Sequence, residues 1–188
     1  MAGARVAGAV LVGGTSRRMG RPKATIEIGG SAMAARVASA LDAAGCSPVR
    51  MVGGGLPAGD LGFASVDDRW PGEGPLGGVI TAIIDAGCDV VVAACDLPDL
   101  DAATVLAIRD APGAGTADAV VAVTDRLEPA LARWNHGTLD RLMAMFASGE
   151  RALHVALGRL AVVEVVVDPA ALRNVNTPGD LGGEAPSR

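Results

Sequence analysis

Aromatic side chains are nearly missing from this chain, which has two Phe, two Trp and no Tyr among 188 residues. That poverty argues against a single-stranded nucleic-acid surface built on stacking platforms. A net charge of -5 and a pI near 4.9 argue against a general basic field, so no nucleic acid is expected as a partner. Cysteine is scarce as well: Cys46, Cys88 and Cys95 form an odd set without C-x-x-C spacing. Reduced thiols in a cytoplasmic protein are expected, rather than a disulfide framework. His136 and His154 stand far apart and suggest no zinc site. No apolar run approaches about 18 residues, so no membrane span is expected. The stretch after Arg5 imitates a signal peptide only weakly, since Val6 to Gly14 is glycine-interrupted and leads into Arg17-Arg18 without a cleavage site.

What is present is aliphatic. Half of the residues are hydrophobic, and a core of Val, Leu, Ile and Ala suits buried parallel strands between helices. The length predicts one domain, residues 1–181, with a disordered tail over 182–188. Strands are predicted at Val6 to Val12, Thr25 to Ile28, Val49 to Val52, Phe63 to Val66, Val90 to Cys95, Ala119 to Val123 and Val162 to Val167. Helices are predicted from a Ser31 cap to Ala44, at Leu76 to Ala86 and at Asp101 to Asp110. Further helical stretches are expected at Thr138 to Ala147 and Arg151 to Leu157. The alternation predicts an α/β fold, a mostly parallel sheet with helices on both faces. Ligands in such sheets sit beyond the carboxyl ends of the strands. The loops beginning at Gly13, Asp67, Cys95 and Arg173 are therefore expected to meet along one edge.

Those loops carry the unusual residues. The segment Leu11 to Lys23, LVGGTSRRMGRPK, joins an apolar run, a glycine pair and the cations Arg17, Arg18, Arg21 and Lys23. Glycine lets backbone N–H groups approach an anion, and Arg18 and Lys23 supply charge for phosphate oxygens. It is not a Walker A loop, because Gly20 is followed by Arg21-Pro22-Lys23. Taken alone it could equally be a flexible basic turn. Asp96 emerges from the most apolar strand, where a carboxylate needs a partner. Mg²⁺ suits it, being a cation that prefers oxygen ligands and bridges triphosphates; a turn or capping aspartate before Pro98 is the alternative. Asp67 and Asp68 share that ambiguity. Gly72 to Gly77 formally matches G-x-G-x-x-G. However, Pro71 and Pro75 stiffen it, and Asp67 to Pro71 separates it from the strand that a dinucleotide fingerprint would follow directly.

Together with Gly74-Pro75-Leu76-Gly77-Gly78, Cys95-Asp96-Leu97-Pro98 and Asn174-Val175-Asn176-Thr177-Pro178-Gly179-Asp180-Leu181, the first motif resembles the molybdenum cofactor guanylyltransferases, the MobA family. The resemblance spans about residues 6 to 181 and implies a Rossmann-like nucleotidyltransferase fold. It implies a Mg²⁺-dependent transfer of GMP from GTP to molybdopterin, metal-bound or not, with release of pyrophosphate. The family's nucleotide loop then falls on Leu11, Val12, Gly13 and Gly14, its phosphate cations on Arg18 and Lys23, and its metal aspartate on Asp96. Asp68 matches a second nucleotide contact, and Asn174 and Asn176 match residues that bind the pterin substrate. Thr177-Pro178 independently reads as an N-cap and first helical residue. Transient contact with cofactor-delivering proteins is a further expectation. Two positions depart from the pattern: Pro22 stands where Asp is common and where cytidylyl-transferring relatives often carry Pro, and Gly53 stands where Asn often helps hold the nucleotide. The readings left open are cytidylyl transfer to the same cofactor, nucleotidyl transfer to another phosphate such as a sugar phosphate, and a non-catalytic GTP-binding regulator.

Overall fold

The structure, a computed structural model, describes residues 5–13, 23–54, 61–175 and 180. Its centre is β1 (Val6–Leu11), whose residues are small or β-branched up to the closing Leu11 and almost entirely buried. Successive side chains of a strand point to opposite faces. Val6 and Val10 accordingly enter the core under one set of helices, and Ala7 and Ala9 the core under the other. On the first face lie α1 (Met33–Ala43) and α3 (Ala102–Arg109), and on the second α2 (Pro75–Ala86), α4 (Leu139–Ala147) and α5 (Leu153–Leu157). The close seat of α1 depends on Gly8, where an added Cβ would lie 3.1 Å from both Leu41 Cβ and Val49 Cγ2. Overpacking of that kind costs about 1–3 kcal/mol.

The other strands of the main sheet are β4 (Val49–Val52), β5 (Ala64–Val66), β6 (Asp89–Ala94), β7 (Ala119–Val123), β8 (Leu127–Trp134) and β9 (Val162–Val166). Their order is β5-β4-β1-β6-β8-β7-β9. β1 pairs in parallel with β4 and β6, in the registers Gly8 with Val49 and Gly8 with Val91. The sheet is thus mostly parallel with helices on both faces, a Rossmann-like α/β fold.

The periodicity assigns no element between Val123 and Thr138, yet β8 occupies that stretch and inserts between β6 and β7, antiparallel to both. Pro129, Glu128 and Arg133 interrupt any alternation there. Pro129 is accommodated where the β7–β8 register jumps, from Val121 opposite Ala132 to Ala122 opposite Glu128. A bulge asks no ladder N–H of the residues it sets aside, so proline is tolerated there.

The start of the first helix also differs from expectation. Ser31 does not cap it; Ser31–Ala32 forms a short strand, β3, against β2 (Glu27–Ile28). Ala32 is the N-cap and makes no side-chain capping bond. Gly29 and Gly30, at φ 60° and 79°, close this hairpin in a backbone region that favours glycine. At two other helix ends local chemistry decides the boundary. Asp101 caps α3 through the Thr104 N–H at 2.7 Å, and Gly87, left-handed at φ 59°, stops α2. The 182–188 tail and the Thr177-Pro178 cap lie outside the described residues. Among the described residues no helix is long and apolar enough to cross a membrane.

Candidate functional site

β4 and β5 lie on one side of β1 and β6 on the other, so the strand order reverses between the parallel neighbours β1 and β6. That is the position where open α/β sheets bind ligands. Backbone bonds continue past the strand ends and hold the emerging loops side by side. Cys95 N donates to Leu11 O at 3.2 Å, Val12 N to Val52 O at 3.0 Å, and Gly53 N to Val66 O at 2.9 Å.

Asp96 leaves β6 at this edge with its side chain 21% exposed, and Lys23, the chain's single lysine, places Nζ 3.2 Å from Asp96 Oδ2. Asn174 completes the group. With its amide nitrogen toward the carboxylate, the orientation that satisfies both partners, it donates to Oδ1 at 3.1 Å and to Oδ2 at 3.0 Å. Three segments remote in sequence therefore converge on one carboxylate.

A small apolar plug explains why. Val175, Ile26 and Met33 are fully buried against one another. Met33 N donates to Ile26 O at 2.8 Å, Ile26 N to Lys23 O at 3.1 Å, and Val175 N to Asp96 O at 3.0 Å. The plug thus fixes the backbones that carry Lys23, Asp96 and Asn174. Outside it, Arg173 Nε donates to Asp99 Oδ2 at 2.6 Å, and Arg36 Nε to Pro98 O at 2.9 Å, so the turn after Asp96 is held from two sides.

The second group surrounds Gly53. A Cβ built there would lie 3.5 Å from Asp68 Cβ and 3.5 Å from Gly13 N, with φ at +82°. Gly13 and Asp68 thus flank the space that a side chain at 53 would fill. Next to it, Gly54 adopts φ +79° with its Cβ direction 2.8 Å from Val12 O, which only glycine tolerates. Asp68 Oδ1 accepts from Trp70 N at 3.0 Å and from Thr81 Oγ1 at 3.2 Å.

Of the residues singled out from the sequence, Leu11, Val12, Gly13, Lys23, Asp68, Asp96 and Asn174 all lie along this edge. Lys23, Asp96 and Asn174 touch one another. Gly14, Arg18, Pro22 and Asn176 lie outside the described residues. Sequence reasoning missed Thr81, Arg173 and Arg36. Thr81 had a signal, being a hydroxyl in the apolar run Leu76 to Ile83; the two arginines had none.

Among the described residues no cluster of three or more His, Cys, Asp or Glu could hold a metal. A divalent ion here would rest on the Asp96 carboxylate and take its other ligands from phosphate and water, which fits Mg²⁺. Cys95, beside Asp96, is no nucleophile: burial, and then the Asp96 charge, push its thiol up to about 12.

Comparison with known proteins identifies the family. The model of the MobA-like NTP transferase domain matches residues 8–164. A "probable molybdenum cofactor guanylyltransferase" of Chloroflexus aggregans is 34% identical, with 94% of this chain and 91% of that protein covered. The molybdenum cofactor guanylyltransferase of Rhodobacter capsulatus is also 34% identical, over 94% of this chain and 93% of its own. Among solved structures, molybdopterin-guanine dinucleotide biosynthesis protein A of Archaeoglobus fulgidus superimposes with a TM-score of 0.70 at 28% identity, covering 93% of this chain and 94% of that one.

Proposed function

The chain belongs to the family of MobA-like NTP transferase domains and is a nucleotidyltransferase of molybdenum cofactor biosynthesis, and from that premise we propose that it transfers GMP from GTP to molybdopterin. A phosphate oxygen of the pterin substrate attacks the α-phosphorus in line. The bond from that phosphorus to the β-phosphate oxygen breaks, and pyrophosphate leaves. The observation that carries the proposal is the meeting of Lys23, Asp96 and Asn174 where the strand order reverses.

Each residue has a role that its chemistry allows. The glycine loop, Leu11 to Gly14, offers backbone donors to the nucleotide, and Asp68 accepts from its nucleoside part. Lys23, with Arg18, balances negative charge as the phosphates separate. Asp96 is the residue that would hold Mg²⁺, which when bound neutralises the triphosphate and orients it for displacement. Asn174 and Asn176 are assigned to the pterin end. The acceptor brings its own nucleophile, so no Ser, Cys or His need be activated.

Guanine is preferred to cytosine because the Gly-Pro-Leu-Gly-Gly and Asn-Val-Asn-Thr-Pro motifs together outweigh Pro22. Proline fixes φ and removes one backbone donor, which alters loop shape rather than base contacts. Gly53 supports a different holding of the base, since no amide stands there. Pyrophosphate release with GTP and CTP, each with and without molybdopterin, tests the proposal. Release is expected with GTP plus molybdopterin. A cytidine dinucleotide as the main product in direct competition overturns the base assignment, and no release with any acceptor overturns catalysis.

A further inference from the structure

We infer that Thr81 is a positioning residue for nucleoside recognition, acting through Asp68; this rests on the proposed contact between Asp68 and the nucleotide. Thr81 lies on α2 in the unbroken buried run Leu76 to Ile83 and is 1% exposed. A hydroxyl there is unfavourable unless it is hydrogen-bonded. Within a helix, threonine commonly returns that bond to a carbonyl one turn back. Thr81 instead spends it outside the helix. Its Oγ1 accepts from Arg69 N at 3.2 Å and donates to Asp68 Oδ1 at 3.2 Å.

Two features separate steering of the carboxylate from simple anchoring of the loop. The loop already has an apolar anchor, because the Trp70 ring packs on Phe146 with centroids 5.0 Å apart. Asp68 Oδ1 is also engaged twice, by Trp70 N and Thr81 Oγ1, so the carboxylate is fixed in direction rather than merely tethered. Its other oxygen has no protein hydrogen bond among the described residues, and the Asp68 Cβ flanks the Gly53 gap opposite Gly13.

A carboxylate in that place repels phosphate and accepts from N–H or O–H donors. With no cation assigned between it and the phosphates, its ligand is the ribose or base of the nucleotide rather than the triphosphate. Thr81 then controls affinity for the nucleoside part and leaves the phosphate chemistry alone.

The test uses the full chain in Mg²⁺ buffer, with GTP binding by calorimetry, inhibition by tripolyphosphate and steady-state kinetics. Thr81→Val keeps the shape and removes both hydrogen bonds. It is expected to weaken GTP binding and raise KM by about tenfold. It should leave kcat within about twofold and tripolyphosphate inhibition unchanged, the pattern of lost uniform binding. Thr81→Ser should restore wild-type affinity. On an Asp68→Ala background, Thr81→Val should add nothing. Where Thr81→Val does not fold, Thr81→Ala takes its place. Equal loss of GTP and tripolyphosphate, failure of Thr81→Ser to rescue, or a full effect on the Asp68→Ala background each overturn the inference. Normal GTP binding by Asp68→Ala overturns the Asp68 contact and the Thr81 role with it. Absence of GTP binding by the unaltered chain overturns the nucleotide assignment itself.

Discussion

Replacing Asp96 with alanine is expected to separate activity from stability more sharply than any other single change. The stability loss can be bounded from its contacts. The ion pair with Lys23 joins two side chains that are each 21% exposed, so it contributes at most about 1 kcal/mol. The Asn174 bonds contribute about 1 kcal/mol, discounted because Asn174 is exposed and regains water. The Val175 N to Asp96 O bond is a backbone contact and survives. The sum is about 1–2 kcal/mol, or roughly 3–6 °C in Tm for a chain of this size. Turnover should fall by about 10²-fold or more, as expected for loss of a group that positions a metal or stabilises developing charge. Asp96→Asn is the matched control: it keeps the shape, and its carbonyl can still accept from Lys23, but the charge is gone, so it should be as inactive as alanine. Pyrophosphate release with GTP and molybdopterin, read at saturating and limiting Mg²⁺ beside a thermal melt, gives both quantities. A folded Asp96→Ala protein that keeps more than a tenth of its turnover at limiting Mg²⁺ refutes the reasoning. A Tm loss well beyond 10 °C refutes the stability bound.

Lys23→Ala should lower kcat by about 10²-fold while KM for GTP changes by less than about threefold, because the glycine loop still offers donors to the phosphates. Steady-state kinetics decide this, and a raised KM with unchanged kcat contradicts it. Gly54→Ala should lose both stability and activity, since its Cβ would stand 2.8 Å from Val12 O at φ +79°. A calorimetric melt showing less than about 1 kcal/mol of destabilisation contradicts that. Stability should also fall above pH 9. Burial holds the Cys46 thiol at about 11 and the Cys95 thiol at about 12 against an ordinary 9.0, so the unfolded chain releases protons there that the folded chain keeps. Urea midpoints at pH 8 and 10.5 should show the decline, and the Cys46→Ala, Cys95→Ala double variant should flatten it.

Much of the fold was legible because strands such as Val6 to Val12 and Val90 to Cys95 are buried on both faces and read as unbroken apolar runs. The helix ends at Ala44 and Ala86 were equally plain, because each is followed by a glycine, Gly45 and Gly87, which adopts the left-handed conformation that stops a helix. β8 was not legible, and the reason is topological. Its lack of alternation comes from a bulge around Pro129 and from the Arg133 to Asp89 ion pair at 2.6 Å, and neither can be foreseen without knowing that β6 and β7 flank it. Ser31 misled for a related reason. Serine before an apolar period is a good cap in isolation, but here the residue is drawn into pairing with Ile28, and tertiary context overrides the local preference.

The candidate site divides in the same way. Glycine and aspartate at strand ends announce themselves, because their chemistry is out of place in an apolar sheet, and Lys23 stands out as the last cation of a basic loop. What those groups do for one another depends on which segments the fold brings back. Asn174 shows this best: its sequence motif points toward a substrate, whereas its amide lies on the Asp96 carboxylate beside Lys23. On the proposed mechanism these facts are compatible. Without nucleotide, an aspartate meant for a cation must be balanced by the protein, and one lysine and one amide supply that balance on both oxygens. On that mechanism a bound triphosphate and its cation would take over the carboxylate, and Lys23 would turn its charge toward phosphate and Asn174 its donor toward the acceptor. The plug of Ile26, Met33 and Val175 holds the three backbones in place throughout, so the exchange requires only side-chain rotation. On that mechanism the groups held on Asp96 are the ones the reaction would use, and one small apolar cluster positions the backbones of all three.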